Sequence, residues 1–191
     1  MDRNRWGGWK TGPKVKATGF FHPVKRGAAW WLADPDGRLF WSYGVDCVGN
    51  WAAGPIEERD RWYEALPVKD PDFAGFFWTG DARADDRYKG KKVRYFDFGA
   101  ANALRKYGTA WKDSAADAAH RRLASWGFNT IGNWSSGEVF ARKRTPYVVA
   151  VHFWAPELKG SEGYWQDFRD VFDPAFRLAV RGAMAGQKGK T

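Results

Sequence analysis

The sequence predicts an α/β fold built around a parallel sheet. Two observations carry that expectation. Short apolar runs alternate with segments of helical period over the second half of the chain, the strand–helix grammar of parallel sheets. The run Phe40 to Val48 (FWSYGVDCV) is also nearly all apolar, as in a strand covered on both faces. With 44% hydrophobic and 18% aromatic residues among 191, the chain has material for one sizeable core, which excludes a disordered protein.

Residues 1–19 read as an N-terminal arm. From residue 20, strands flank a tight turn: Trp30 to Ala33 enter, Asp34-Pro35-Asp36-Gly37 turns, and Leu39 to Trp41 leave. Proline presets φ and the closing glycine tolerates positive φ, so the turn has a mechanism. Periodicity then fades over 49–110, too long for an ordinary connection; the segment is either a functional loop or a small inserted subdomain, with a short helix expected at Glu57–Tyr63. Asp113-Ser114 offers a cap for a helix running to Trp126 and closed by Gly127, with Ala115, Ala118, Ala119, Leu123 and Trp126 as its buried stripe. Phe128 to Asn133 (FNTIGN) is a short strand, followed by a short helical stretch to Arg144, and Tyr147 to Trp154 (YVVAVHFW) is an apolar strand. Asp173 caps and Pro174 begins a last helix, with Phe176, Ala179, Val180, Ala183 and Met184 on one face. Residues 187–191 read as a disordered tail.

The turns after the strands lack a glycine-rich phosphate fingerprint, which counts against a doubly wound nucleotide-binding sheet. The strand ends instead carry Asp46, Asn133-Trp134 and His152-Phe153-Trp154. In a (β/α)8 barrel these positions form the mouth. Polar groups alternating with indoles suit sugar rings, which need hydrogen bonds to hydroxyls and a flat face against their C–H groups. Two roles fit Asp46, binding a hydroxyl and capping backbone; Asn133 and Trp134 fit either binding or loop packing. His152 fits a site residue or a satisfied interior histidine. Trp154 and Trp51 are candidate sugar platforms, with burial in the inserted segment the better reading for Trp51. Glu138, Glu157 and Glu162 read as solvated loop charges, and Cys47 as an inert core thiol. The three histidines lack metal-ligand spacing, so no metal or other cofactor is expected.

The chain carries 31 Lys and Arg against 22 Asp and Glu, a net charge of +9. That excess raises an anionic partner such as nucleic acid. Basic residues gather at Arg83–Arg94, Arg142–Arg144 and Lys188–Lys190, but no element repeats them along one face. No run is long and apolar enough for a membrane span. Met1 to Lys10 lacks the apolar core of a signal peptide, so the chain as written is expected to stay where it is made.

Trp30 to Val48 (WWLADPDGRLFWSYGVDCV), Asn102 to Gly108 (NALRKYG) and Arg122 to Ser135 (RLASWGFNTIGNWS) together resemble the start of the catalytic barrel in β-agarases and related clan-A glycoside hydrolases. Looser similarity runs through Thr145-Pro146-Tyr147 and Asp170 to Pro174. The resemblance implies a partial (β/α)8 TIM barrel of about three βα units over 20–186, with 49–110 inserted, an N-terminal β-hairpin region and a polysaccharide or oligosaccharide partner. It also implies a retaining two-carboxylate mechanism in the full-length parent, whose acid/base and nucleophilic glutamates follow strands four and seven and so fall beyond Thr191. This chain is therefore expected to carry no catalytic residue, to bind substrate through Asp46, Asn133, Trp134, His152 and Trp154, and to self-associate through an exposed sheet edge. The alternatives are a noncatalytic carbohydrate-binding or interaction remnant and a basic nucleic-acid binder.

Overall fold

The structure is a computed structural model and describes residues 2–49, 52–82, 87–161 and 168–189. It divides into two compact units, 1–148 and 149–191.

In the first unit, β1 (His22–Arg26), β2 (Ala29–Ala33) and β3 (Leu39–Phe40) form an antiparallel sheet in that order. The Asp34–Gly37 turn joins β2 to β3 as the sequence predicts, and Gly37 takes φ 77°. Asp34 is fully buried at the centre of this turn; its Oδ1 accepts the amides of Asp36 (3.0 Å) and Arg38 (2.9 Å). The arm is tied to the hairpin, with Trp9 donating its amide to Leu39 (2.8 Å) and Val15 to Gly37 (2.9 Å). Arg5 hydrogen-bonds and ion-pairs with Asp36, which holds that carboxyl below its ordinary range.

The apolar run beyond Phe40 departs from the expectation. Trp41 to Cys47 are exposed rather than covered on both faces, and only Gly44–Val45 (β4) pairs, in parallel with Thr130–Ile131 (β8). Gly44 is required there: a Cβ on it would lie 2.0 Å from the Thr130 carbonyl oxygen. Gly44→Ala is expected to force the two strands apart and cost about 3 kcal/mol. Urea unfolding would read this as a lower midpoint at unchanged slope.

Residues 53–107 are more regular than their sequence suggests. Ala53–Pro55 (β5), Phe77–Asp81 (β6) and Lys92–Asp97 (β7) make an antiparallel sheet with β7 central, and Phe98–Tyr107 is a helix (α1) capped by Asp97, whose carboxylate accepts the Ala100 amide at 2.9 Å. Ile56, Phe73, Phe96 and Ala101 form its core. The helix expected at Glu57–Tyr63 is a single 3-10 turn, Asp60–Trp62. Arg94 on β7 is held further in its charged form by Glu57 and, through a second ion pair, by Asp60.

The next helix, α2 (Trp111–Ser125), starts two residues before the expected cap because a 3-10 turn at Gly108–Ala110 feeds directly into it. It closes at Gly127 (φ 79°), where Phe128 donates to the Leu123 carbonyl. Its buried residues are Ala116, Ala118, His120 and Leu123, while Ala115 and Ala119 are half-buried and Trp126 is exposed. His120 is held by Thr145 Oγ1 (2.9 Å) and donates through Nε2 to the Val139 carbonyl (3.0 Å), a structural role. Ala116, Leu123, Ile131 and Val139 of the short helix α3 (Gly137–Phe140) form a second core.

The predicted strand Tyr147–Trp154 reduces to one parallel bridge, Ile131↔Tyr147, supported by Ile131 donating to Pro146 and Val148 donating to Ile131. From Val149 onward the segment makes no ladder among the described residues, so its apolar pattern has no sheet to sustain it.

In the second unit, Glu157 and Arg169 bridge antiparallel, and Pro174–Ala185 is a helix (α4) with Asp173 accepting the Ala175 amide at 2.7 Å. Phe176, Ala179, Val180 and Ala183 are its half-buried face, and Met184 is exposed. Turn-like bonds continue to Lys188, and Lys190 and Thr191 lie outside the described residues.

Candidate functional site

Past the C-terminal ends of β4 and β8, the two segments remain stitched together. Gly132 donates to the Val45 carbonyl (2.9 Å), Asn133 donates its amide to Asp46 Oδ1 (2.7 Å), and Cys47 donates to the Asn133 carbonyl (2.9 Å). Val48 then donates to Ser135 Oγ (3.0 Å) and Ser136 to the Val48 carbonyl (2.8 Å). This ladder continues parallel pairing into the loops and fixes their backbones with side-chain acceptors where strand geometry ends.

Two residues in this ladder occupy left-handed backbone without being glycine: Cys47 at φ 58° and Trp134 at φ 54°. Each conformation costs on the order of 1–2 kcal/mol. Neither is compensated by burial, since Cys47 is exposed, contrary to the core thiol expected from its apolar neighbours, and Trp134 is 76% exposed. The hydrogen bonds of Asp46, Asn133 and Ser135 hold an indole outward at the end of a parallel strand.

Of the two roles expected for Asp46, the structure shows the backbone cap. Its Oδ1 caps the Asn133 amide, across from its own strand, and lies where a Cβ on residue 132 would be, 2.0 Å away; only glycine fits there. Its Oδ2 makes no hydrogen bond among the described residues and is exposed, so it is available to a hydroxyl donor. Asn133 is half-buried beside it. The structure thus brings Asp46, Asn133 and Trp134 together in the first unit.

His152 and Trp154 belong to the second unit. Phe153 packs edge-to-face on Phe176 of α4 (5.4 Å), and its neighbours His152 and Trp154 are exposed, Trp154 at 72%. His152 is therefore not an interior residue. Glu138 is an exposed residue paired with Lys112 (3.4 Å), and Glu157 is paired with Arg169, as solvated loop charges would be. Trp51 and Glu162 lie outside the described residues. Among the described residues, no group of three or more His, Cys, Asp or Glu is placed to hold a metal ion, and no helix is long and apolar enough to cross a membrane.

Sequence reasoning did not single out Ser135 or Asn129. The buried Asn129 side chain donates to the Gly7 (3.1 Å) and Trp41 (2.9 Å) carbonyls and accepts the Tyr43 amide (2.8 Å), binding arm, hairpin and β8 together. Its signal was an amide side chain immediately before a strand. For Ser135, the signal was a hydroxyl pair directly after one.

No family model matches the chain. It is 32% identical to β-agarase B of Vibrio sp. (strain JT0107) over 94% of its own length and 21% of that protein's, and 25% identical to β-agarase A of the same strain over 77% of its length and 16% of that protein's. The chain thus spans about a fifth of the length of the curated relatives it matches. Among solved structures, an exo-β-agarase superposes with a TM-score of 0.72 at 22% identity, covering 95% of this chain and 30% of that one. The agarase AgWH50C superposes at 0.71 and 23% identity, covering 97% and 29%. The chain is β-agarase-like in sequence, as the resemblance implied, and shares the fold of the corresponding part of these agarases.

Proposed function

We propose that this β-agarase-like chain is a substrate-binding portion of a clan-A glycoside hydrolase barrel over 20–186, with 49–110 inserted, and that β4, β8 and the Tyr147 bridge are its first three parallel strands. Its substrate is an agarose-type galactan. The parent enzyme cleaves with retention, using two glutamates that the chain itself does not supply. Here Trp134 serves as a stacking face and Asp46 Oδ2 and Asn133 as hydroxyl partners; His152 and Trp154, exposed in the second unit, are substrate contacts of that unit by itself. The observation that carries this reading is Trp134, an exposed indole held in left-handed backbone by a dedicated hydrogen-bond ladder at a parallel strand end. Strained, over-determined backbone of this kind clusters at binding sites.

Charge pairing disfavours the nucleic-acid alternative. Among the described residues, basic side chains of the clusters are paired with acids, Arg94 with Glu57 and Asp60, Arg142 and Arg144 with Asp117, and Arg87 with Glu58, which interrupts their positive charge.

Titration with a neoagaro-oligosaccharide, followed by tryptophan fluorescence, tests the proposal. Binding is expected with little dependence on salt, because the ligand is neutral. Trp134→Ala is expected to weaken it about tenfold, the loss of about 1.4 kcal/mol of stacking. Unchanged affinity in Trp134→Ala would remove this residue from the site. Affinity for duplex DNA that falls with log salt by about 0.9 per phosphate neutralised, with no sugar binding, would establish the nucleic-acid reading.

A further inference from the structure

At the other end of the parallel pair, before β4 begins, lies a groove of about 410 Å³ walled by Asp2, Arg3, Trp9, Trp31 and Trp41. Its volume falls within the range of small-ligand clefts. We infer that this groove is a second, noncatalytic binding site for a neutral sugar chain, separate from the strand-end site.

The backbones that carry its three indoles are fixed in place. Trp9 donates its amide to Leu39 (2.8 Å), and Gly12 lies so close to its ring that a Cβ there would be 2.2 Å from Cδ2. One side of the Trp9 indole is thus covered by the arm itself, yet the residue remains 50% exposed. Trp31 is paired with Val24 in the hairpin sheet, and the Trp41 carbonyl is held by Asn129 Nδ2. Trp31 and Trp41 meet at 6.5 Å with an interplanar angle of 66°, and Trp41 is 72% exposed. With the backbones that carry them held before any ligand arrives, only the side-chain torsions of these indoles remain to be ordered on binding.

The polar groups select the ligand. Asp2 Oδ2 accepts the amide and hydroxyl of Thr11, leaving Oδ1 without a bond among the described residues; Arg3 Nη1 donates to the Gly127 carbonyl (2.5 Å), and the remaining guanidinium N–H groups donate to none of them. An acceptor and a set of donors therefore flank the indoles. Their charges cancel, which gives a polyanion no net attraction and leaves hydroxyls, able to donate to Asp2 and accept from Arg3, as the matching chemistry. A pyranose presents hydroxyls on its rim and C–H groups on its face, the complement of this wall.

The galactan class is taken from the function proposed above, while the site stands on different residues, and one experiment separates the two. The indole N–H resonances of the full chain are followed during titration with neoagarohexaose and assigned with Trp9→Phe, Trp31→Phe, Trp41→Phe and Trp134→Phe variants. The Trp9, Trp31 and Trp41 signals are expected to shift together and saturate along one curve, and Trp134 along another. Movement of the three without Trp134 would uphold the groove and overturn the strand-end reading. Movement of Trp134 alone would overturn the groove, and the same holds if no indole moves. In a Trp9→Ala/Trp41→Ala chain the groove curve is expected to weaken at least tenfold while the Trp134 curve is unchanged; should that variant fail to fold, the wild-type titration still decides.

Discussion

Replacing Asp34 by alanine is expected to lower the stability of the chain by about 4 kcal/mol, the largest effect of any single side chain in the hairpin region. The carboxylate is fully buried and accepts three hydrogen bonds, from the Asp36 and Arg38 amides and from Asn4 Nδ2 at 2.6 Å. Asn4 in turn closes its own loop by accepting the Trp6 (3.0 Å) and Gly8 (2.9 Å) amides. Hydrogen bonds to a charged acceptor contribute about 1.5–3 kcal/mol each, and their loss leaves buried donors unpaired, although the three are not additive. Space is as tight as polarity: a Cβ on Gly8 would lie 2.2 Å from Asp34 Oδ2. With a urea slope of about 2 kcal/mol/M, the midpoint should drop by about 2 M. Asp34→Asn should fall in between, since its amide retains one acceptor oxygen but confronts Asn4 with a second donor. A shift in Asp34→Ala below about 0.5 M would mean that the backbone of the turn suffices without its carboxylate.

That turn shows where the sequence was legible and where it was not. Asp34-Pro35-Asp36-Gly37 announced itself through local chemistry, as did the Asp173-Pro174 helix start and the Gly127 stop, because each is decided within a few residues. The joining of the arm to the turn through Asn4 depends on partners 30 residues apart and left no local mark. The helix α1 was missed because its buried side is alanine, Ala100, Ala101 and Ala103, which gives little hydrophobic contrast. Trp41 to Cys47 and Val149 to Trp154 misled for the opposite reason: apolar content was read as strand burial, whereas Trp41 to Cys47 are exposed and 149–154 alternates exposed His152 and Trp154 with half-buried Val151 and Phe153. At the candidate site, counting from strand ends put Asp46, Asn133 and Trp134 past one parallel pair, and their placement there holds although the strands are shorter than expected. The left-handed backbone of Trp134 was invisible, since tryptophan is among the last residues that sequence would place there.

Incubated with agarose or neoagaro-oligosaccharides, the chain is expected to release no reducing ends above a buffer control. Retaining cleavage needs two carboxyl groups about 5–5.5 Å apart, one to protonate the leaving oxygen and one to attack the anomeric carbon. By the resemblance, both belong to strands outside residues 1–191. Just past the parallel pair stands the carboxylate of Asp46, and one of its oxygens is committed to the Asn133 amide. Glu138 is ion-paired with Lys112 from the start of α3 and Glu157 with Arg169, so each carboxylate already has a cationic side chain as its partner. On the function proposed above, the chain retains stacking and hydrogen bonding, which act alike on substrate and transition state and so give affinity without rate. Quenching of tryptophan fluorescence by the same oligosaccharide in the same sample would show that silence is chemical and not a failure to fold or bind. Turnover that disappears in Glu138→Gln, Glu157→Gln or Asp46→Asn would assign the missing carboxylate to this chain and make it an enzyme in its own right.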